Sequence, residues 1–434
     1  MLLLLSVATS ISDAVHTHHT VGLRDLVVVV WWGIDVFIVV DVFVVFVVVF
    51  VFCYSYAALS TSTRTSACTV ESTLVVVVMQ WCTILTVVTH ELLVFYLMFE
   101  LMLLLIYSTV ATYWYTTRAV YSVYLLVAYT VVGSACMGVS LVMYYVIHGA
   151  LHSLSGVDSV SHSVVSSTCT GILYIAFLTK IPTAPLHHWL VEAHVESTTE
   201  GSILLAGIYL KVGVVGWCRY CVSSHPVLTT YWYPTSILVI TTSTVSLLCV
   251  LLPTLDLKRF AAVSSILHLQ LVLLLLVPVQ HTLLAVGTLL QVTTHSYIAA
   301  LLFLVVGDVY EVLGSRCTKT HHYTSRTASI VLVLLLANSG YPCSASYTAE
   351  WCAVAYTTTS GSAVLALVLV TVGGMLSVLG LFHWVHSKQG RSRVHVGAHT
   401  LLSTTSALHL YSVGGLVVST APHALCYAVM YVYT

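Results

Sequence analysis

A handful of ionisable side chains stand where apolar neighbours make them expensive, and each could hold or pass a proton. Glu100 follows the run Leu92–Phe99 and precedes Leu101–Ile106, which puts a carboxylate near the middle of an apolar helix. A charge at that depth costs about 2.5 to 3.5 kcal/mol on insertion scales, so it needs a function or a partner. Lys180 is followed at once by Pro182 and Pro185. A proline removes a backbone N–H and frees carbonyls that lipid cannot satisfy, so a broken helix at membrane depth normally lines a polar cavity. Burial disfavours the lysine cation while a nearby carboxylate favours it, so moving that carboxylate would switch the lysine between holding and releasing a proton. Lys211 follows the apolar stretch Ile203–Leu210, and Gly207, Gly213 and Gly216 allow close helix packing around it. His268 follows Ser264-Ser265 and His295 precedes Ser296-Tyr297; imidazole can relay a proton near neutral pH. Glu350 lies beyond a second interruption, Asn338-Ser339-Gly340-Tyr341-Pro342.

Each has a plainer reading. Glu100 could simply pair two helices, Lys211 could extend to an interface, and a lone histidine in an apolar helix is commonly just hydrogen-bonded. Asp35 and Asp41 are nearer one end of their run and divide evenly between the two readings.

The elements that must position these groups follow from composition. Of 434 residues, 59% are hydrophobic and only 7% charged, against roughly 25% charged in a soluble domain. Mean hydropathy is +1.00. The chain is expected to be all-α, a polytopic membrane protein forming a single transmembrane domain over 1–434. Apolar runs fall at about 27 to 52, 72 to 90, 92 to 110, 121 to 147, 166 to 186, 201 to 218, 235 to 253, 261 to 280, 283 to 306, 329 to 357, 362 to 384 and 404 to 419. Many are valine-rich, but barrel strands need about ten residues of alternating polarity, and these runs are continuous for about twenty. If loops alternate sides, Arg64, Arg118, Lys258, Arg259, Arg316, Lys319, Arg326, Lys388, Arg391 and Arg393 share one face, leaving Arg24 and Arg219 on the other. That asymmetry marks the first face as cytoplasm or matrix.

The net charge of -1 offers nothing to nucleic acid. Met1–Ala8 lacks a basic n-region and an A-x-A site, so no cleaved signal is expected. The cysteines sit in apolar runs, and the single pair Cys218 and Cys221 has no second pair; His16–His19, His187-His188 and His321-His322 lack a third ligand at fixed spacing. No metal is expected. No cofactor is expected either, since neither a G-x-G-x-x-G fingerprint nor Fe-S cysteine spacing is present. Gly/Pro interruptions in two separate parts of the chain suggest an internal repeat with ion sites at the breaks.

The block Lys180-Ile181-Pro182-Thr183-Ala184-Pro185-Leu186-His187-His188-Trp189-Leu190, with Ala193-His194-Val195-Glu196, Gly201-Ser202 and Leu210-Lys211-Val212-Gly213, resembles the proton-pumping antiporter-like membrane subunits of respiratory complex I, in particular their subunit 4 branch. Further blocks follow in order: Gly33-Ile34-Asp35, Phe95–Glu100, Tyr129-Thr130 with Gly133-Ser134, Asp256-Leu257-Lys258, Ser264-Ser265-Ile266 with His268, His295, Leu301-Leu302-Phe303, Tyr310-Glu311, and Pro342 with Glu350. Together they cover about residues 33 to 385. Val191 replaces a usual Pro, Glu200 adds a carboxylate, and Leu267 replaces a usual Ser.

The resemblance implies two five-helix inverted repeats, each with one broken helix, and a total of about 12 to 14 transmembrane helices. It further implies proton transfer through Glu100, Lys180, Lys211, His268, His295 and Glu350, with no redox centre in this chain. The implied partners are other complex I membrane-arm subunits, especially two flanking antiporter-like subunits, together with membrane lipids. The implied location is the mitochondrial inner membrane, with a bacterial plasma membrane as the alternative. A multi-subunit cation/proton antiporter resembles the same pattern, and a structural membrane spacer is the non-transport alternative.

Overall fold

The computed structural model describes residues 26–31, 34–39, 70–89, 91–111, 116–148, 164–222, 226–276, 282–317, 325–341 and 344–359, with scattered positions from 372 to 385. Long apolar helices dominate, as continuous twenty-residue runs require: within lipid a helix satisfies every backbone group internally. They are α1 (Val70–Val88), α2 (Leu92–Ala111), α3 (Thr117–His148), α4 (Val164–Lys180), α5 (His188–Glu196), α6 (Thr199–Leu204), α7 (Leu210–Gly216), α8 (Pro226–Leu251), α9 (Leu257–Leu276), α10 (Thr282–Leu313), α11 (Ser325–Asn338) and α12 (Ala345–Thr359). Among the described residues, five stretches are long and apolar enough to cross a membrane: Leu92–Ala111, Thr117–Val146, Thr199–Cys221, Leu257–Leu276 and Gly287–Tyr310. The protein is a multi-helix membrane protein.

The described start of the run at 27 to 52 departs from the helical expectation. Leu26–Trp31 and Ile34–Val39 pair as antiparallel strands β1 and β2, with Val30 opposite Asp35. Val and Ile are stiff at χ1 and fit an extended, pleated backbone well. Asp35 therefore lies on a strand, not near a helix end. Asp41, Arg24, Arg64, Lys319, Lys388, Arg391, Arg393, Pro342, the histidine patches at 16–19 and 321–322, and the run at 404 to 419 lie outside the described residues.

Burial separates rim from interior. On α2, Leu97, Leu101 and Leu104 point outward while Phe95, Phe99, Met102 and Ile106 point inward, a helical alternation of faces. Helices α9 and α10 are almost wholly buried, with polar side chains such as His268, Gln270, Gln291 and His295 enclosed among apolar ones, as expected of central elements. Hydroxyls along the helices donate back to their own turns, for instance Ser140 to Met137 O at 2.7 Å and Ser264 to Ala261 O at 2.9 Å, which leaves them satisfied without a partner helix.

Small residues set the closest approaches. A Cβ at Gly216 would overlap the Phe177 ring of α4 and lie 2.6 Å from Phe95 Cζ of α2. Gly216→Val is therefore expected to push α7 away from both helices and to lower the amount of assembled protein in the membrane several-fold, as overpacking of a dense core does, by about 1 to 3 kcal/mol; immunoblotting of membranes after native electrophoresis reads this directly.

Among the described residues, two helices are broken. The path leaves α4 at Lys180 and resumes at His188 in α5; it leaves α11 at Asn338 and resumes at Ala345 in α12. At the first break, neighbouring side chains take up the freed backbone groups. Trp189 Nε1 donates to Thr179 O at 3.0 Å, Gln270 Nε2 of α9 donates to Pro182 O at 2.8 Å, and the Ala184 N–H donates to Ser243 Oγ of α8 at 2.8 Å.

The segment joining α6 to α7, Leu205–Tyr209, is π-helical, and Trp217–Val222 after α7 is a second π turn. Arg219 lies in that turn, buried, and donates through Nη1 to Thr89 O at 2.8 Å. It is not the exposed loop charge that the side-by-side reading of loops assigned to it. Lys258 is also buried, in the first turn of α9, and donates to Ser197 O at 2.6 Å.

Candidate functional site

Burial leaves Lys180 only 3% exposed at the C-terminal end of α4. Its Nζ lies 4.5 Å from the centre of the Phe99 ring and 3.5 Å from the Tyr209 hydroxyl, to which it donates. Phe99 and Tyr209 stack on each other with centroids 6.0 Å apart, so the ammonium is held by one ring face and one oxygen. Glu100, one residue from Phe99 on α2, interacts electrostatically with Lys180 and meets the Ser134 hydroxyl of α3. Glu100 Oε1 is buried with no protein hydrogen-bond partner. The carboxylate and the ammonium act on each other without direct ion-pair contact, so the interaction strengthens as the two approach and weakens as they part.

Lys211 sits just after the π turn and donates to Ala206 O within it. A π turn displaces backbone carbonyls from their usual partners, which is why such turns recur at functional positions. Here the freed carbonyl holds the lysine. Helix α7 meets the first break at Gly213, where an added Cβ would lie 3.5 Å from Lys180 Cβ. The two lysines thus belong to one packed layer.

Lys211 acts electrostatically on His268, His295 and His194. His268 of α9 and His295 of α10 have ring centroids 5.5 Å apart. His268 Nδ1 is 3.0 Å from Gln291 Nε2. Ser346 Oγ of α12 donates to Gln291 Oε1 at 3.4 Å, and the Ser346 hydroxyl also reaches Glu350, one turn further along the same helix. Glu350 packs against Gly340 in the second break, where an added Cβ would lie 2.5 Å from its Oε2. Gly340 has φ +66, a left-handed conformation that suits glycine.

Glu100 and Lys180 are therefore brought together, Lys211 is brought to the two histidines, and Glu350 is reached through Gln291 and Ser346. Between Lys180 and Lys211 the link is their shared packing. His194 stands in one of the motif blocks but with no role assigned to it; it is fully buried on α5, stacked on Phe303 with centroids 4.4 Å apart and 8° between planes, and among the described residues neither ring nitrogen has a hydrogen bond. The motifs also missed Tyr209, Gln291 and Ser346, whose types carry no signal of chemistry in isolation.

At one end of the site, Asp256 Oδ1 accepts from the Lys258 N–H at 2.9 Å, Arg316 meets Glu196 through Nη2 at 3.5 Å and donates to Val195 O through Nη1, and Arg259 pairs with Glu192. Cations at the carbonyl end of α5 oppose the negative end of its dipole and fix its exit.

Residues 89–380 match the transmembrane family described as NADH:quinone oxidoreductase/Mrp antiporter. The chain belongs to that family. Among relatives of the NADH:quinone oxidoreductase/Mrp antiporter family, NADH-ubiquinone oxidoreductase chain 4 of Prototheca wickerhamii is 30% identical over 272 residues, 60% of this chain and 50% of the relative. The chain spans about half the length of the curated relatives it matches. Two solved structures share the fold: one from the Mrp complex of Dietzia sp. DQ12-45-1b, with TM-score 0.84, 14% identity and coverage of 95% of this chain and 87% of the other, and one from respiratory complex I of Thermus thermophilus, with TM-score 0.79, 16% identity and coverage of 98% and 93%.

The breaks of this family fold stay intact only while their backbone groups are held. Gln270→Leu leaves the Pro182 carbonyl without its donor, and an unsatisfied buried acceptor costs about 1 to 3 kcal/mol. The expected result is a thermal unfolding midpoint lowered by several degrees in mild detergent, with Gln270→Glu lowered as well because a carboxylate cannot donate.

Proposed function

We propose that this chain is a proton-translocating membrane-arm subunit of an NADH:quinone oxidoreductase, the respiratory complex I type. The observation that carries this is the Glu100–Lys180 pair at the end of a broken helix, continued by Lys211, His268 and His295 to Glu350 at a second broken helix. Glu100 sets how tightly Lys180 holds its proton. Release from Lys180 passes a proton toward Lys211, the histidines exchange it, and Glu350 delivers it. Buried polar atoms without protein partners at Glu100, His194, His268 and His295 are the points where water completes such a path.

The work comes from outside the chain. Moving one proton against the field costs about 2.3 kcal/mol per 100 mV, and NADH oxidation and quinone reduction belong to partner subunits. The partners are other membrane-arm subunits, two of them antiporter-like and flanking this one, with lipid around the apolar rim. The membrane is the mitochondrial inner membrane, with a bacterial plasma membrane as the alternative. The two broken helices are the features that two inverted five-helix repeats would each contain, within one transmembrane domain.

Isolation of the native assembly tests the reading. The chain should migrate in a large complex that reduces quinone with NADH and acidifies vesicles; a free monomer after mild detergent extraction would defeat it. The likeness to the Mrp structure supports a second reading, a subunit of a multi-subunit cation/proton antiporter. Sodium- or potassium-driven proton exchange in vesicles without quinone would favour that instead.

A further inference from the structure

The amide between His268 and Glu350 cannot itself carry a proton, yet both of its ends are engaged. Gln291 is fully buried on α10, with Nε2 3.0 Å from His268 Nδ1 and Oε1 accepting from Ser346 Oγ at 3.4 Å. Ser346 has one hydroxyl proton and stands one turn from Glu350, within its reach. Along the line from Glu350 through Ser346 and Gln291 to His268, these counts give two consistent arrangements. When Glu350 is protonated, Ser346 is free to donate to the Gln291 carbonyl; the amide NH2 then donates to His268 Nδ1, and the imidazole proton must sit on Nε2. When Glu350 is ionised, it takes the serine proton; the serine oxygen then accepts from the amide NH2, the amide turns over, and its carbonyl accepts from His268 Nδ1–H.

We propose that Gln291 is a positioning residue that, through Ser346, makes the tautomer of His268 follow the protonation of Glu350. This rests on the proton-path reading and deepens it. The consequence is directional. His268 also meets the backbone and side chain of Asn338, but among the described residues its Nε2 has no hydrogen bond and His295 is the adjacent imidazole, so Nε2 is the nitrogen open to exchange. An ionised Glu350 leaves Nε2 bare and ready to accept a proton, and a protonated Glu350 leaves it occupied, so His268 accepts only when the exit group has emptied. The other ionisable groups facing this linkage are His295 on α10, Lys211 on α7 and, beyond His295, His194 on α5. None of them interrupts the chain from His268 to Glu350.

The test is a double-substitution cycle in the native assembly, read as protons pumped per electron pair. Gln291→Met keeps the side-chain length and removes both hydrogen bonds; Ser346→Ala removes the hydroxyl. Each is expected to lower the ratio about fivefold, the weight of one buried hydrogen bond. The double variant is expected to be no worse than either alone, because both cut one linkage. Ser346→Thr, which keeps the hydroxyl, should restore most of the ratio. Losses that multiply in the double variant, a wild-type ratio in either single variant, or a Thr variant as poor as Ala would each overturn the proposal, since independent packing defects behave that way. If Gln291→Met fails to assemble, the Ala and Thr variants at 346 decide alone. Glu350→Gln is measured alongside: if it pumps normally the path reading itself fails, whereas an impaired Glu350→Gln beside normal Gln291 and Ser346 variants removes only the coupling.

Discussion

Lys180→Ala is expected to abolish most coupled turnover, lowering both proton pumping and quinone reduction more than tenfold, and Glu100→Gln is expected to do nearly the same. Each substitution removes one member of a buried charge pair, and an uncompensated buried charge typically costs about 3 to 5 kcal/mol. The surroundings sharpen the expectation. Among the described residues, Lys180 has the Phe99 ring face and the Tyr209 hydroxyl besides Glu100 to stabilise its cation, and Glu100 Oε1 has no hydrogen bond. Glu100→Asp should be milder, because a carboxylate withdrawn by one methylene still acts on the lysine through space. Arg259→Ala serves as the comparison: its pair with Glu192 is 40% and 25% exposed, and such pairs contribute about 0 to 1 kcal/mol. Pumping that survives in Lys180→Ala within an intact assembly would reduce the pair to a structural lock between α2 and α4, and the chain to a spacer.

Glu350→Gln is the second large effect. It should assemble normally, since glutamine keeps the shape that packs on Gly340 and can still bond to Ser346, yet proton release should fall about tenfold because an amide cannot exchange the proton. Glu350→Lys should retain part of the activity, because lysine also titrates. Gly340→Ala should fall with it. It places a Cβ against the carboxylate and forces a non-glycine residue into φ +66, a conformation that costs a residue with a Cβ about 1 kcal/mol or more. The measurement is protons per electron pair in reconstituted membranes. An unchanged ratio and turnover in Glu350→Gln would leave that carboxylate with a packing role.

Much of the fold was legible because lipid imposes a strict rule. Continuous apolar runs of about twenty residues have to be helices, and their positions at α1, α2, α9 and α10 follow the runs closely. The breaks were legible for the same reason: Pro182 and Pro185 after Lys180, and Gly340 before Glu350, are residues a lipid-facing helix would not carry without compensation. The segments Leu26–Trp31 and Ile34–Val39 differ from the helical reading because β-branched residues serve strand and membrane helix alike, and hydropathy does not separate the two. Arg219 was assigned to a loop because charge counting along a chain has no depth, whereas the fold turns its guanidinium inward to Thr89 O.

The sequence alone determined that the protein is helical and membrane-embedded, where its helices break, and which ionisable residues sit at a depth that demands an explanation. These follow from local composition and from the cost of a charge or an unpaired amide in hydrocarbon. Only the tertiary structure decided which of those residues meet. Glu100 and Lys180 lie on different helices, as do His268, Gln291 and Ser346, and their proximity depends on packing at residues such as Gly213 and Gly216 that carry no charge at all. His194 and Gln291 acquire significance only there, because a buried polar side chain is defined by what surrounds it, and the surroundings come from remote parts of the chain.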